Sequence, residues 1–276
     1  MSISPALAEL FGFLDGLHEV VEQTWWGVVA TDSRFPQLWE ANYAAVDSAT
    51  SDLTLEEVQE ALLPALRRAG TDEEHIWVMH PEASSRLLDD LEARGRPLHW
   101  DTLMRRGPDR RPAEPEHRVE EVGEPGAEFW EVERLALREF GITEPRVVEQ
   151  ALRRHREVSA PAGKRWFVGR VEGGLAGIGS MLVHGDAAFV DDVVTFPPFR
   201  RRGVARSVVR AMLREAGSAG AGETYLFADQ PGPIRLYEGL GFEVVRRVAT
   251  SLATAPEGEG QLRAGRSAGN GPGRPR

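Results

Sequence analysis

Asp192-Val-Val-Thr-Phe-Pro-Pro-Phe-Arg-Arg-Arg-Gly-Val-Ala205 is the stretch on which the reading of this chain turns. Val193, Val194 and Thr195 are β-branched and favour a strand, and Pro197 and Pro198 stop it. Arg200, Arg201, Arg202 and Gly203 then open a helix with Val204, Val208 and Met212 on one apolar face. Three cations at a helix start repel one another and oppose the positive end of the macrodipole. An anion held by the unpaired N–H groups of that first turn relieves both problems. Gly203 lets the backbone approach such a ligand where a Cβ would obstruct it. A solvated turn, or a patch that attracts nucleic acid, is the plainer reading of the same residues, and spacing alone does not separate the two.

A second segment separates them. Pro197-x-x-Arg200-Arg201-Arg202-Gly203-Val204-Ala205 resembles the acyl-CoA loop of the GNAT superfamily of N-acyltransferases, whose pattern is Gln/Arg-x-x-Gly-x-Gly/Ala after a strand. Downstream, Tyr225-Leu226-Phe227-Ala228 reads as a strand, and Leu236-Tyr237-Glu238-x-Leu240-Gly241-Phe242 matches the family's Leu-Tyr-x-x-Leu-Gly-Phe. The resemblance covers about Arg118 to Thr250. It implies acetyl-CoA, or a close relative, as co-substrate. Its pyrophosphate would lie on the backbone and arginines of Arg200, Arg201, Arg202, Gly203, Val204, Ala205 and Arg206. The free edge of Val193, Val194 and Thr195 would pair with the pantetheine arm, as an added strand does. The resemblance further implies direct attack of an amine on the thioester. Tyr237 then acts as general acid toward the departing thiolate, a phenol of pKa about 10 serving a thiol of about 8.5. A purely packing role for Tyr237 is the competing reading. The chain has no cysteine, which excludes a cysteine-acyl intermediate. A non-catalytic acyl-CoA-binding module, sensory or regulatory, is the alternative function.

For the general base, Asp192 and Asp191 stand at the strand leading into the loop. Strand alternation predicts that only one of them faces the cleft. Asp229 and His184 are reserves. Asp229-Gln230-Pro231 stands where many family members have an asparagine, so an asparagine contact to the pantetheine is not expected. His75, His80 and His99 show no metal-ligand spacing, and no metal is expected.

Around these motifs, periodicity predicts a three-layer α/β domain over 117–250 with a mixed sheet. Its elements are strands at His117–Val122, Arg165–Val171, Gly177–Val183, Phe189–Thr195 and Glu243–Val248, and helices at Glu128–Phe140, Glu144–Val158, 203–216 and 232–239. Residues 107–116 read as a proline- and charge-rich linker and residues 251–276 as a disordered tail.

Residues 1–106 carry their own pattern. Leu7–Val21 reads as a helix, Thr54-x-x-Glu57 as a capping box opening another, His75–Met79 and Leu98–Arg105 as strands, and Ser84–Ala93 as a helix. This order repeats that of 189–248, and Leu87-Leu88-Asp89-Asp90-Leu91 parallels Leu236-Tyr237-Glu238-Gly239-Leu240. The expectation is a smaller, degenerate GNAT-like half. Its helix opens with Asp52, Glu56 and Glu57, which repel a pyrophosphate, and Leu88 replaces Tyr237. This half is therefore expected to complete the fold and shape the acceptor cleft. Trp25, Trp26, Trp39 and Tyr43 are either cleft walls or plain core.

The formal charge of −10 over 276 residues argues against nucleic acid as a partner and suits a cationic amine. Absence of a membrane-length apolar run or a signal-peptide profile points to a cytoplasmic protein, monomeric or homodimeric.

Overall fold

One sheet of eleven strands organises the computed structural model, which describes residues 4–108 and 112–253. Helix α1 (Pro5–Asp15) precedes β1 (Val20–Gln23), β2 (Gly27–Thr31) and β3 (Tyr43–Val46), with a 3-10 turn at Trp39–Ala41 before β3. Helix α2 (Leu55–Ala69) leads to β4 (Glu74–Val78), and α3 (Ser85–Ala93) to β5 (Leu98–Arg106). Next come β6 (Arg118–Val122), α4 (Ala127–Glu139), α5 (Pro145–Arg154), β7 (Arg165–Val171), β8 (Gly174–His184) and β9 (Ala187–Thr195). The chain closes with α6 (Val204–Ser218), β10 (Glu223–Ala228), α7 (Pro231–Glu238) and β11 (Glu243–Ala253). Among the described residues no helix is long and apolar enough to cross a membrane.

The strand order, β1-β2-β3-β4-β11-β5-β10-β9-β8-β7-β6, reads almost the same from either end. Strands β1–β5 mirror β7–β11, and β6 is an addition at one edge. In each half a parallel pair (β3 with β4, β9 with β10) is joined by a 15-residue helix, α2 or α6. The last strand of each half crosses over: β11 pairs with β4, β5 pairs with β10, and the two pair with each other, all antiparallel. The repeat expected from the sequence is thus present as topology, and neither half closes its own sheet.

Helix α6 lies close on the sheet because three glycines, Gly169, Gly177 and Gly179, face it. A Cβ at Gly177 would stand 2.5 Å from the Val194 carbonyl oxygen and 2.9 Å from Val204 Cγ1, and at Gly179 2.9 Å from Val208 and Met212. The fully buried Val208, Val209 and Met212 fill that contact.

Three boundaries differ from the sequence reading. The first helix stops at Asp15 rather than Val21; Gly16 caps it, and Val20 and Val21 enter β1, as β-branched pairs favour. The helix expected over 144–158 is α-helical only to Arg154 and widens into a π turn at His155–Ser159. Strand β11 runs on to Ala253, opposite Glu74 of β4, so residues 251–253 belong to the sheet instead of the tail. The rest of the expected tail, 254–276, and residues 109–111 of the expected linker lie outside the described residues.

Candidate functional site

Strands β9 and β10 pair only through Ala187–Phe189 and Glu223–Tyr225. Beyond Phe189 they part. Val193, Val194 and Thr195 keep β8 on one side, where Ile178 faces Val194 and Gly177 faces Thr195, and have no strand on the other. This is the edge on which an extended amide-bearing arm can add. The parting coincides with a β-bulge: between the pairs Ile178–Val194 and Ser180–Asp191, one residue of β8 (Gly179) stands against two of β9 (Asp192 and Val193). Asp192 takes φ +53°, a left-handed conformation costing a side chain roughly 1–2 kcal/mol. The bulge breaks strand alternation, so both Asp191 and Asp192 reach the same cavity, in place of the single one that alternation predicts.

The loop after β9 makes a 3-10 turn at Pro197–Phe199 and enters α6 through Gly203, at φ +81° and with no side-chain cap. First-turn N–H groups of α6 therefore have no side chain of their own to satisfy them. The arginines are neutralised from elsewhere in the chain. Arg200 donates to the Glu139 carboxylate at 2.6 Å and the Thr195 carbonyl at 3.2 Å, and Arg202 to Glu172 at 2.9 Å. Arg206 lies 3.9 Å from Glu116, whose carboxylate would stand 3.2 Å from a Cβ at Gly203. Arg201 is exposed at φ +64°; Val204 is buried and Ala205 half-buried.

Tyr237 stands on the last turn of α7, 2% exposed, its ring centroid 5.8 Å from that of Phe242 in the core that also holds Val193 and Ala228. It is not among the cavity-lining residues.

The cavity, about 470 Å³, opens beside the bulge and takes walls from α1, the 3-10 turn before β3, the π turn, and β8, β9 and β10. Lys164 sits deep in it, Nζ 2.7 Å from Asp192 Oδ2 and 3.8 Å from Asp191 Oδ2. Ser180 donates to Asp192 at 2.7 Å. Behind them His155 Nδ1 lies 2.8 Å from Glu133 Oε1, without hydrogen-bond alignment, and Glu133 Oε2 has no hydrogen-bond partner. Glu133, His155 and Asp192 bring ligand atoms within 4.8 Å of one another and are the described residues best able to hold a cation; the Lys164 ammonium already supplies one to Asp192.

These neighbours split the two aspartates chemically. Burial opposes ionisation of Asp192, but Lys164, His155 and the Ser180 hydroxyl outweigh it and hold its carboxyl at about 2. Asp191 lines the cavity with its side chain 53% exposed, enclosed by the cavity walls. Burial and the charge of Asp192 push it up to about 6, against the pull of Lys164. Glu40, on the 3-10 turn, is pushed up to about 7 by burial and by repulsion from Asp191 and Asp192. Burial works against the Lys164 charge, yet Asp192 and Asp191 hold its affinity for a proton above the ordinary lysine value.

Of the reserve bases, Asp229 lines the cavity, whereas His184 stacks on Phe13 with centroids 4.0 Å apart and does not. Trp39 and Tyr43 are cavity wall; Trp26 is 2% exposed in the core and Trp25 is 64% exposed. Sequence reasoning missed Glu40, Arg154, His155 and above all Lys164. A signal for Lys164 was present: it is the single lysine among 33 basic residues. A compact ammonium can serve two carboxylates at once in a narrow space, where a guanidinium fork is bulkier.

Residues 129–242 match the acetyltransferase (GNAT) family. No curated protein matches the chain. Among solved structures, a GCN5-related N-acetyltransferase from Kribbella flavida is 19% identical, covering 93% of this chain and 98% of its own, with a TM-score of 0.63. A functionally unknown conserved protein from Staphylococcus epidermidis ATCC 12228 is 11% identical over 84% of this chain and 92% of its own, with a TM-score of 0.64. A GCN5-related N-acetyltransferase from Sphaerobacter thermophilus, 17% identical over 72% and 68%, scores 0.52. At such identities these likenesses speak to the fold, and they run through both halves of the sheet. Residues 129–242, which carry the splayed strand pair, the bulge and the uncapped helix, are thus identified as a GNAT acetyltransferase domain.

Proposed function

We propose that the protein is an acetyl-CoA-dependent N-acetyltransferase acting on a cationic primary amine. The observation that carries this reading is the bulge in β9, which sets two carboxylates of unlike acidity beside the unpaired edge of Val193–Thr195. Acetyl-CoA would lay its pantetheine along that edge and its pyrophosphate over Arg200–Arg206, where the first-turn N–H groups of α6 carry no side-chain cap. No metal is given a role.

The acceptor arrives as an ammonium and must lose a proton before it can attack. Asp191 is assigned as general base in place of Asp192. A carboxylate near 6 takes a proton at neutral pH far more readily than one near 2, and Asp192 is spent on Lys164 and Ser180. The amine nitrogen then adds to the thioester carbonyl carbon, the tetrahedral intermediate collapses, and the C–S bond breaks. Tyr237 is assigned to protonate the thiolate, on the strength of the Leu236–Phe242 motif.

Thiol release from acetyl-CoA with a panel of primary amines tests the reading, and with no protein cysteine the background is clean. Turnover that falls by about 10² or more in Tyr237→Phe, with acetyl-CoA affinity retained, supports the general acid. An unaltered rate removes Tyr237 from the chemistry. Tight acetyl-CoA binding with no turnover on any amine replaces the enzyme by a binding module.

A further inference from the structure

The cavity is larger and more acidic than one ammonium needs. Seven Asp and Glu side chains line it, against one lysine and one arginine. Internal pairing accounts for some of this charge: Asp192 is taken by Lys164 and Ser180. Besides Asp101 and Asp229, the other four carboxylates fall into two groupings. The first is Glu40 with Asp191. Among the described residues the Glu40 carboxylate has no hydrogen bond or ion pair, and the nearest cation to Asp191 is Lys164 at 3.8 Å. The second is Asp15, at the end of α1, with Asp47, just past β3. Among the described residues the Asp15 carboxylate accepts only the Tyr43 hydroxyl, at 2.5 Å, while Asp47 lies 60% exposed at the rim, 3.4 Å from His80. Another part of the wall is aromatic: Phe11, Phe189 and Phe227 pack on one another at 5.8–6.4 Å, and Trp77 joins Phe227 at 5.5 Å.

We propose that the acceptor is a dication with an apolar body. Its reacting ammonium lies between Glu40 and Asp191, its second cation lies at Asp15 and Asp47, and the aromatic wall covers the stretch joining them. This rests on the amine-acceptor reading above and adds to it that the N-terminal half supplies recognition. A site of about 470 Å³ suits such a molecule, whereas a short monoamine leaves most of it to water. A monoamine also brings no cation to the Asp15–Asp47 pair.

The test is calorimetric titration of the full chain with α,ω-diaminoalkanes of increasing length and with the monoamines of matching length. A diamine of optimal length is expected to bind at least tenfold more tightly than its monoamine. Asp47→Asn, at an exposed position that tolerates the change, should collapse that preference by about tenfold, the size of one charge-assisted contact. Asp15→Asn, read in parallel, should do the same. Equal binding of diamine and monoamine at every length overturns the proposal, as does a preference that survives both variants. Thiol release, measured alongside, separates the two readings. Diamine binding that depends on Asp47 but yields no turnover sinks the transferase and keeps the dication site, while turnover with no preference does the reverse.

Discussion

Helices α2 and α6 have the same length, the same place after a parallel strand and opposite N-termini. Thr54 caps α2 by accepting from the Glu57 N–H, the Glu57 carboxylate accepts from Thr54 in return, and Asp90 accepts from the Leu55 N–H. Every anion that end can use is built in. Helix α6 begins at Gly203 with no side-chain cap and no acidic residue in its first turn. The strands differ in the same sense. Strand β3 stays paired with β4 to its last residue, Val46, and Met79 prolongs the contact by donating to the Val46 carbonyl at 2.9 Å. Strand β9 leaves β10 after Phe189. One half spends its helix end and strand edge on its own stability, and the other leaves both open to a ligand.

That contrast is breakable, and the largest effect is expected where the open half does chemistry. Asp191→Asn should lower kcat by about 10²–10⁴, the worth of a positioned general base, with acetyl-CoA affinity retained. A loss of that size in Asp192→Asn but not Asp191→Asn would move the base to the paired aspartate. Next in size is Gly203→Val, which forces a branched side chain to φ +81° and against Glu116. Acetyl-CoA affinity should fall by about tenfold to a hundredfold. Normal binding by a folded variant would remove the pyrophosphate from this loop. Gly203→Val is a sharper probe than reversing Arg200, whose guanidinium already holds Glu139 and whose loss would disturb α4 as well.

Acidity sharpens the comparison further. Groups held at about 6 and about 7 protonate as pH falls, removing both the base and the charge that draws the ammonium. The kcat/KM for an amine should therefore be full above about pH 8 and drop about tenfold or more by about pH 5. A profile flat to pH 5 would assign the chemistry to a carboxylate that stays ionised, as Asp192 does at about 2. Titration with acetyl-CoA should show one site, and two sites would end the contrast between the halves. The smallest effect belongs to the closed half: Thr54→Ala should cost about 1 kcal/mol of stability by thermal unfolding and leave acetyl-CoA affinity where it was.

What could be read from the sequence was local. The Thr54–Glu57 box and the Gly203 entry to α6 both depend on residues a few positions apart, and each stands where the sequence puts it. The two family motifs are equally short. The cavity is not local: Asp15, Glu40, Lys164 and Asp191 come from four distant segments, and nothing in the spacing of any one announces the others. Alternation even misdirected the reading of Asp191 and Asp192, because a bulge needs one extra residue relative to β8 and shows only in the pairing.

The sequence by itself therefore determined most of the helices, the glycine entry to α6 and the absence of cysteine chemistry, since propensity, capping and charge act over a turn or two. Tertiary structure alone decided that β5 and β11 exchange places, that the π turn brings His155 to Asp192, and that two adjacent aspartates differ in acidity, Asp191 raised by its surroundings and Asp192 lowered by Lys164, His155 and Ser180. Those outcomes depend on burial and on distances between residues far apart in the chain, and both exist only once the sheet has formed.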